Sequence, residues 1–380
     1  MKLLHIADIH LGVKALGFGD RADDLRRRIQ TGFENSLQIA AERACDVVLV
    51  AGDLFDSNRV GQRTLHAATS ALRDLLVTAP QIHIFLIPGN HDCLGDDSIY
   101  HAAEFSQLGD RFHLFTDPQG ETVYLDHLDA AIHGVPFVCD FKQLDIQPLA
   151  MLSPHPQAAF NIAMLHVGIP MPHWDAADAP SISPEQIAAS GMDYIALGHF
   201  HNAQNCDDGG VVARYCGPPE LINMQSPPGA ALLVEMGASG VSVEALPVAS
   251  LCLEKAEILA AELRSEDDLA EKLRAYAGED VVLDAEIVGM LPLGVRLQTE
   301  QLAEELADDF YRLNLTDNTA VGELDIDEAE HPEQYVTGKF IRLMQERIEQ
   351  AQDAGDEPAA RIASEALRLG AHLLQGGELE

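Results

Sequence analysis

The sequence predicts an α/β fold: a parallel layer with a second sheet packed on it, then a small α+β module and C-terminal helices. Three observations carry this. Short apolar runs alternate with amphipathic helical stretches over the first 90 residues, as buried parallel strands joined by helices do. Short strand candidates recur from residue 130 to 246. The character changes near residue 250, where strand and helix patterns alternate at short spacing and the chain ends in helical periodicity.

In order, Lys2–Ala7 reads as a buried strand. Residues 21–44 read as a helix with Leu25, Ile29, Phe33, Leu37 and Ala40 on one face. Asp46–Ala51 (DVVLVA) is a second buried strand, Thr64–Val77 a helix, and Ile82–Ile87 (IHIFLI) a third strand stopped by Pro88-Gly89. Further strands are expected at Ala130–Gly134, Ile162–His166, Tyr194–Leu197, Val211–Tyr215, Ala231–Glu235 and Val241–Leu246. Their close spacing after about residue 205 predicts that a second sheet packs on the first. Ser183-Pro184-Glu185-Gln186 has the form of a helix start with a capping box.

Residues 251–320 read as strand, helix (Asp267–Tyr276), strand (Val281–Val288), helix (Glu300–Asp309) and strand (Tyr311–Leu315), with Ser265 and Thr299 as N-caps. After an acidic link at Gly322–Glu330, two amphipathic helices follow. Phe340, Leu343, Met344, Arg347 and Ile348 mark one; Ile362, Ala366, Leu369 and Leu373 mark the other; Asp353–Pro358 divides them. The expected organisation is a core domain at 1–250, a capping module at 251–320 and C-terminal helices at 332–380.

The 380 residues carry a net charge of −37. Residues 251–380 hold 11 basic and 31 acidic side chains, net −20, and lysine occurs only six times in the chain. Such a surface repels itself and stays soluble, and it opposes unassisted binding to a polyanion. No stretch approaches the length of a membrane span, and Met1-Lys2 runs straight into a strand with no leader pattern. The six cysteines are scattered without a C-x-x-C pair, which predicts reduced thiols and a cytoplasmic protein.

The chemistry lies at the strand ends. Asp8 and His10 follow the first strand; Gly52, Asp53 and Asp56 follow the second; Gly89, Asn90, His91 and Asp92 follow the third. His166 ends the strand at 162–166, and His199 and His201 follow that at 194–197. The C-terminal edge of an α/β sheet is where sites form. Asp, Asn and His without Cys favour Mn²⁺, Fe²⁺, Zn²⁺ or Mg²⁺ over a structural thiolate site. Asp8, His10, Asp53, Asn90, His166, His199 and His201 are seven ligands, too many for one ion and enough for two sharing a carboxylate. A pair of such ions activates water and neutralises phosphate oxygens. His91 is a candidate general acid, with Asp56 to orient its ring.

Other histidines carry less. His5 is expected to pack or to support the site; His101, His113, His133 and His155 are expected to be structural. His173-Trp174 is a candidate base-stacking pair or rim. Cys93 and Cys206 lie near ligand positions without being assigned as ligands. Arg59 and Arg63 follow Asp56 and are candidates for contact with substrate phosphate.

The set D-x-H (8–10), G-D-x-x-D (52–56), G-N-H-D (89–92), H (166) and G-H-x-H (198–201) resembles the calcineurin-like metallophosphoesterases. The runs LLHIADIHLG, VLVAGDLFDS, IPGNHD and IALGHFH resemble its SbcD branch of DNA-repair nucleases, YhaO-like proteins included. That resemblance covers most of residues 1–250. It implies a two-sheet β-sandwich flanked by helices. It also implies that Asp8, His10, Asp53 and His201 hold one metal, that Asp53, Asn90, His166 and His199 hold the other, Mn²⁺ being favoured, and that His91 is catalytic. The implied activity is exo- or endonucleolytic cleavage of DNA in repair. The implied partners are DNA and an SMC-like coiled-coil ATPase of the SbcC or YhaN type, docked on the C-terminal helices. A homodimer through residues 61–77 and 97–108 is a further expectation. Two competing readings stay open: a phosphodiesterase or phosphatase for small, including cyclic, nucleotides, and a non-catalytic adaptor at DNA ends or on the ATPase.

Overall fold

A computed structural model describes residues 1–139, 146–170, 179–292, 295–320 and 336–374. The chain divides into two compact units, Met1–Leu253 and Glu254–Glu380.

The first unit runs β1 (Lys2–Ile6), α1 (Ala22–Glu42), β2 (Val47–Ala51), α2 (Gln62–Thr78), β3 (His83–Ile87), α3 (Ala103–Ser106), β4 (Phe112–Leu114), β5 (Glu121–Leu125), β6 (Ala130–Val135) and β7 (Phe160–His166). It continues with α4 (Pro184–Ala189), β8 (Tyr194–Gly198), β9 (Gln204–Asn205), β10 (Val212–Tyr215), β11 (Ala231–Gly237) and β12 (Gly240–Leu246). Two six-stranded sheets result, ordered β12-β11-β1-β2-β3-β4 and β5-β6-β7-β8-β10-β9. β1 to β4 are mutually parallel, as are β6, β7, β8 and β10.

The expected second sheet is present, but the late strands divide between the two sheets. Only β9 and β10 join the second. β11 returns to the first sheet and pairs antiparallel with β1, Leu3 opposite Val234, and β12 closes that edge. Long-range register decided this, and strand spacing along the chain does not encode it.

The residues facing inward between the sheets are large and dry. Leu3, Val47, Leu49, Phe85, Ile132, Ile162, Met164, Tyr194 and Val234 form one cluster. In β2 every residue is buried, so Val47 and Leu49 fill the sandwich while Val48 and Val50 turn to the other face. Each such side chain contributes about 1.5–3 kcal/mol on burial. Helix α1 buries its expected stripe, Leu25, Ile29, Phe33, Leu37 and Ala40. At α4, Ser183 and Gln186 form the capping box that the sequence suggested.

One expectation about the cysteines fails. Cys93 and Cys139 are joined in a disulfide, with Cα atoms 5.2 Å apart. Leu94 and Val138 form a bridge beside it, with Leu94 N donating to the Phe137 carbonyl and Cys139 N to the Leu94 carbonyl, so the chain brings the two thiols together across a sequence separation of 46. Cys45, Cys206 and Cys216 are free thiols.

The second unit holds β13 (Cys252–Leu259), α5 (Glu266–Arg274), β14 (Gly278–Met290), α6 (Thr299–Glu305), β15 (Phe310–Ala320), α7 (Val336–Asp353) and α8 (Glu357–Leu374). Its three strands form one sheet, β13-β14-β15. Leu263, Leu269, Leu273, Leu283, Ile287, Leu306 and Phe310 pack its core. Ser265 caps α5 by accepting from the Asp268 N–H. Thr299 is the first residue of α6; the N-cap is Gln298, and no side chain caps it. In the helical pair, Ile341, Met344 and Leu367 form a separate small cluster with Phe340 and Ile348 against it. Ile362 and Leu343, expected in the apolar stripes, are 70% and 49% exposed. The acidic link at 322–330 and His173-Trp174 lie outside the described residues. Among the described residues no helix is long and apolar enough to cross a membrane.

Candidate metal centre

The parallel strands β1, β2, β3, β7 and β8 deliver the polar side chains to one end of the sandwich. The turns after them interlock. Asp8 N donates to the Gly52 carbonyl at 3.1 Å, His10 N to Asp53 O at 3.0 Å, and Asp56 N to Leu11 O at 3.0 Å. Asp8, His10, Asp53 and His199 all take positive φ, at 55°, 54°, 50° and 100°. Non-glycine residues rarely do so, and each costs of order 1–3 kcal/mol that the surrounding packing must hold. The gain is direction, because the turned backbone aims these side chains at one another.

Two glycines make room. Gly52 has φ +92°, and a Cβ there would lie 2.1 Å from His166 Nδ1. A Cβ on Gly89 would lie 2.2 Å from Asp53 Oδ1 and 2.5 Å from its backbone nitrogen. Neither position accepts a side chain while the ligands stay in place.

The seven expected ligands meet. His10 Nε2 lies 3.2 Å from His201 Nε2 and 3.6 Å from Asp53 Oδ2. His166 Nε2 lies 3.3 Å from Asp53 Oδ2 and 2.9 Å from Asn90 Oδ1, which is also 3.1 Å from His199 Nδ1. The backbone N–H of His199 donates to Asp8 Oδ1 at 2.9 Å, while Asp8 Oδ2 is buried without a hydrogen-bond partner. His166 places Nδ1 against the Ala51 carbonyl at 3.0 Å, which fixes the tautomer that presents Nε2 to the centre. Asp8, His10 and His201 hold donor atoms within 4.8 Å of one another, and so do Asp8, Asp53 and His166. Asp8 therefore belongs to both groups, while the expected bridging Asp53 belongs to the second and lies 3.6 Å from His10 of the first; His10, Asp56 and His91 make a third such group.

The electrostatics call for cations. Asp8, Asp53 and His166 are at most 2% exposed. Burial, reinforced by the Asp53 charge, raises the Asp8 carboxyl to about 6, although His166 and His10 pull it down. At Asp53 burial pushes the same way, but His166 and His10 win and hold it well below the usual carboxylate range. Burial opposes charge on His166, yet Asp53 and Asp8 raise it to about 9; His10 is raised by Asp56, Asp53 and Asp8 against its own burial. Positive charge between these carboxylates is thus favoured whether a proton or a metal brings it. The buried, unpartnered Asp8 oxygen and an all-N/O donor set fit divalent ions.

His91 and Asp56 sit beside this centre in an arrangement that differs from expectation. The His91 ring contacts the Asp56 backbone carbonyl through Nδ1 at 3.0 Å. The Asp56 carboxylate is 4.0 Å from that nitrogen but 3.3 Å from His10 Nδ1. The main chain of Asp56 therefore orients His91, and its side chain orients His10. The His91 ring stands edge-on to His10, centroids 4.6 Å apart, with its side chain 41% exposed toward solvent. Its backbone N–H donates to Asp53 Oδ1 at 2.9 Å. Arg59 and Arg63 are both exposed, and among the described residues no hydrogen bond or ion pair ties either guanidinium to the centre.

Sequence reasoning missed the brace beneath the ligands. Asp92 is wholly buried. Oδ1 accepts from Gly89 N at 2.7 Å, while Oδ2 accepts from Phe55 N at 3.0 Å and from the Tyr100 hydroxyl. One carboxylate thus ties the 89–92 turn to the 52–56 turn. Burial and the Asp53 charge raise it to about 6 against those three hydrogen bonds. Its place in G-N-H-D was the available signal; nothing near Tyr100 announces its part. Asn58 adds a second tie, donating to Cys93 O and accepting from Ile99 N, both at 2.9 Å. His5 lies under the centre, wholly buried, with Nδ1 2.9 Å from the Tyr194 hydroxyl.

Comparison with known proteins agrees with this geometry. The profile of calcineurin-like phosphoesterases matches residues 1–203. The DNA double-strand break repair protein Mre11 of Aeropyrum pernix is 28% identical over 261 residues, 65% of this chain and 61% of that protein. Mre11 of Methanopyrus kandleri is 26% identical over 231 residues, 58% and 49% of the two chains. The metallophosphoesterase YhaO of Bacillus subtilis is 28% identical over 214 residues, 54% and 49%. This chain spans about half to three-fifths of the length of these relatives. With more than half its length matched, and with both carboxylates, the asparagine and the histidines of the motifs drawn to one sheet edge, the chain belongs to the calcineurin-like phosphoesterase family.

Proposed function

We propose that this protein is a dinuclear-metal phosphodiesterase that cleaves DNA in repair, as a cytoplasmic exo- or endonuclease working with an SMC-like coiled-coil ATPase. The observation that carries it is the pair of overlapping donor groups that share Asp8, with Asp53 between His10 and His166 and the His91 ring alongside. Similarity to the DNA double-strand break repair protein Mre11 supports DNA as substrate and repair as context.

Asp8, His10, Asp53 and His201 would hold one ion, and Asp53, Asn90, His166 and His199 the other. The donor set suits Mn²⁺, Fe²⁺, Zn²⁺ or Mg²⁺, and the resemblance to the SbcD branch makes Mn²⁺ the first candidate. When bound, such ions supply Lewis-acid neutralisation of a phosphodiester and an activated water. The protein's own part is positional and protonic. With its Nδ1 proton held on the Asp56 carbonyl, His91 presents Nε2 to the departing 3′ oxygen, where it donates a proton or holds the oxygen in line. The Asp56 carboxylate fixes the His10 ring so that Nε2 faces His201 and Asp53. Asp92 keeps the two ligand-bearing turns in register.

A chain of net charge −37 needs help to hold DNA. An ATPase docked on α7 and α8 would supply the grip, and Arg59 and Arg63, exposed on the segment after Asp56, are available to a phosphate. The same charge favours one competitor, a diesterase for small nucleotides, which needs no long polyanion track.

The test is an assay of the full chain with Mn²⁺ on linear duplex, single-stranded DNA, cyclic nucleotides and bis-p-nitrophenyl phosphate. Cleavage of DNA that falls about 10²–10⁴-fold in His91→Ala, with metal content retained, is the expected result. Turnover of small esters alone would move the reading to the nucleotide diesterase. An inactive wild type with bound metal would favour an adaptor. Removal of residues 332–380 is expected to abolish co-purification with the ATPase, and persistent binding would exclude that docking site.

A further inference from the structure

The Cys93–Cys139 bridge is set where it can act on the metal centre. Cys93 directly follows Gly89-Asn90-His91-Asp92, the turn after β3, and Cys139 lies beyond the end of β6. β3 belongs to the first sheet and β6 to the second, so the bridge joins the two sheets at the edge that carries the ligands. The chain after β6 runs along the turn as a strap. Phe137 N donates to the Pro88 carbonyl at 3.0 Å, Leu94 N to the Phe137 carbonyl at 2.9 Å, and Cys139 N to the Leu94 carbonyl at 2.9 Å. The strap is thus fastened at both ends of the turn that holds Asn90 and His91. It also reaches a ligand directly, since the Phe137 ring stands edge-on to His166 with centroids 6.3 Å apart. A Cβ on Gly95 would lie 3.0 Å from Cys139 Sγ, so bare backbone lets the strap come this close.

We infer that Cys93 and Cys139 form a thiol-exchange site, through which a low-molecular-weight thiol sets how firmly the turn of Asn90 and His91 is held and so how tightly the centre keeps the ion assigned to Asn90 and His166. This rests on the metal reading of the centre and not on DNA as its substrate. With the bridge closed, strap and turn are covalently one, and Asn90 Oδ1 is held where it meets both His166 and His199. With the bridge open, hydrogen bonds alone fasten the strap to the turn, and Asn90 gains freedom that the ion must then remove. Disulfides in reducing compartments are chiefly transient or redox-sensing, and exposed ones are the labile ones.

The two sulfurs differ in access, which gives the exchange a direction. Cys139 is exposed and Cys93 half-buried. The Asn58 amide nitrogen, which donates to the Cys93 carbonyl at 2.9 Å, also lies 4.0 Å from Cys93 Sγ. A small thiol gives up its proton and attacks Cys139 Sγ as the thiolate. A mixed disulfide forms there and Cys93 leaves as a thiolate, received by the Asn58 amide and then protonated. A second small thiolate attacks the outer sulfur of the mixed disulfide and frees Cys139, which takes up the other proton. One bridge and two small thiols thus become two protein thiols and one small disulfide, and the reverse sequence closes the bridge.

Calorimetric Mn²⁺ titration of the full chain compares the oxidised protein, the protein reduced with tris(2-carboxyethyl)phosphine, and Cys93→Ser/Cys139→Ser. Groups that position a metal ligand are worth about 10–100-fold in affinity. Reduction is therefore expected to weaken one Mn²⁺ about tenfold, and the serine variant to bind like the reduced chain with or without phosphine. By linkage the same Mn²⁺ must favour the closed bridge by the same factor, about 30 mV for a two-electron couple. That is read by equilibrating the chain in glutathione buffers of graded ratio, with EDTA or with saturating Mn²⁺, then trapping thiols with iodoacetamide and weighing the Cys93 and Cys139 peptides. Equal affinity in oxidised and reduced chains overturns the proposal, as does a glutathione equilibrium that Mn²⁺ does not move or a bridge that stays closed at every ratio. If no form binds Mn²⁺, the metal reading falls and the proposal with it. Loss of the circular dichroism signal on reduction also overturns it, since the bridge would then hold the fold and not the turn. Should only the serine variant fail to fold, the wild-type comparison decides.

Discussion

Asp92 offers the sharpest check on how the metal centre is held. Asp92→Ala removes the acceptor of three buried donors: the Gly89 and Phe55 N–H groups and the Tyr100 hydroxyl. Each orphaned donor costs about 1–3 kcal/mol. Against this, the variant no longer buries a carboxyl raised to about 6, a relief of about 3 kcal/mol for the ionised form at pH 7. The net expectation is a loss of about 3 kcal/mol. Asp92→Asn should lose less, about 1 kcal/mol, because the amide oxygen keeps one N–H and the Tyr100 hydroxyl can turn to accept from the amide nitrogen. Urea unfolding in EDTA measures stability without linked metal. Calorimetric Mn²⁺ titration should then show weaker binding in both variants, in the same order, because Asp53 and Asn90 ride on the two turns that Asp92 joins. If Asp92→Ala unfolds within about 0.5 kcal/mol of wild type, the scatter of a surface substitution, and binds Mn²⁺ as tightly, the brace does not exist.

Other outcomes follow from the same geometry. Reducing the Cys93–Cys139 bridge, or replacing both residues by serine, should lower stability by about 4 kcal/mol, the chain-entropy value for a closure of 46 residues; identical melting curves with and without dithiothreitol would refute this. Burial holds His5 neutral down to about 3, so the unfolded state takes up its proton first as pH falls. Its contribution is complete above about pH 6.5 and is lost progressively between there and pH 3, by up to about 4 kcal/mol. His5→Phe should flatten the stability profile in that window, and an unchanged slope would count against it. Gly89→Ala places a methyl against Asp53 Oδ1, and metal content measured after dialysis should fall sharply while the strands around it stay folded.

How far the sequence alone reaches depends on the range of each interaction. The five ligand-bearing turns were legible because each motif is contiguous and follows an apolar run, as at Val47–Ala51 before Asp53 and Ile84–Ile87 before Asn90. Helix α1 was legible through its period. β4 and β5 were not, since they are three and five residues long and only partly buried, with no strong alternation. Nor was the return of β11 to β1, a pairing across more than 200 residues. Within the site, residue types pointed to His91 and Asp56. Which of Asp56's oxygens reaches which ring depends on where β1 and β3 set His10 and His91, and that is a property of the assembled sheet. The disulfide and the Asp92 brace were hidden for the same reason.

The left-handed backbone at Asp8, His10, Asp53 and His199 has a consequence for anyone trying to harden this protein. A survey of torsion angles alone would nominate all four for glycine or asparagine, to relieve about 1–3 kcal/mol of strain at each turn, yet Asp8 and Asp53 also accept the buried N–H groups of His199 and His91. The substituted chain would also give up four of the seven side chains proposed as metal donors. Thermal robustness and catalytic competence compete here for the same few peptide units, so gains in the first must be sought in the helices and outer loops.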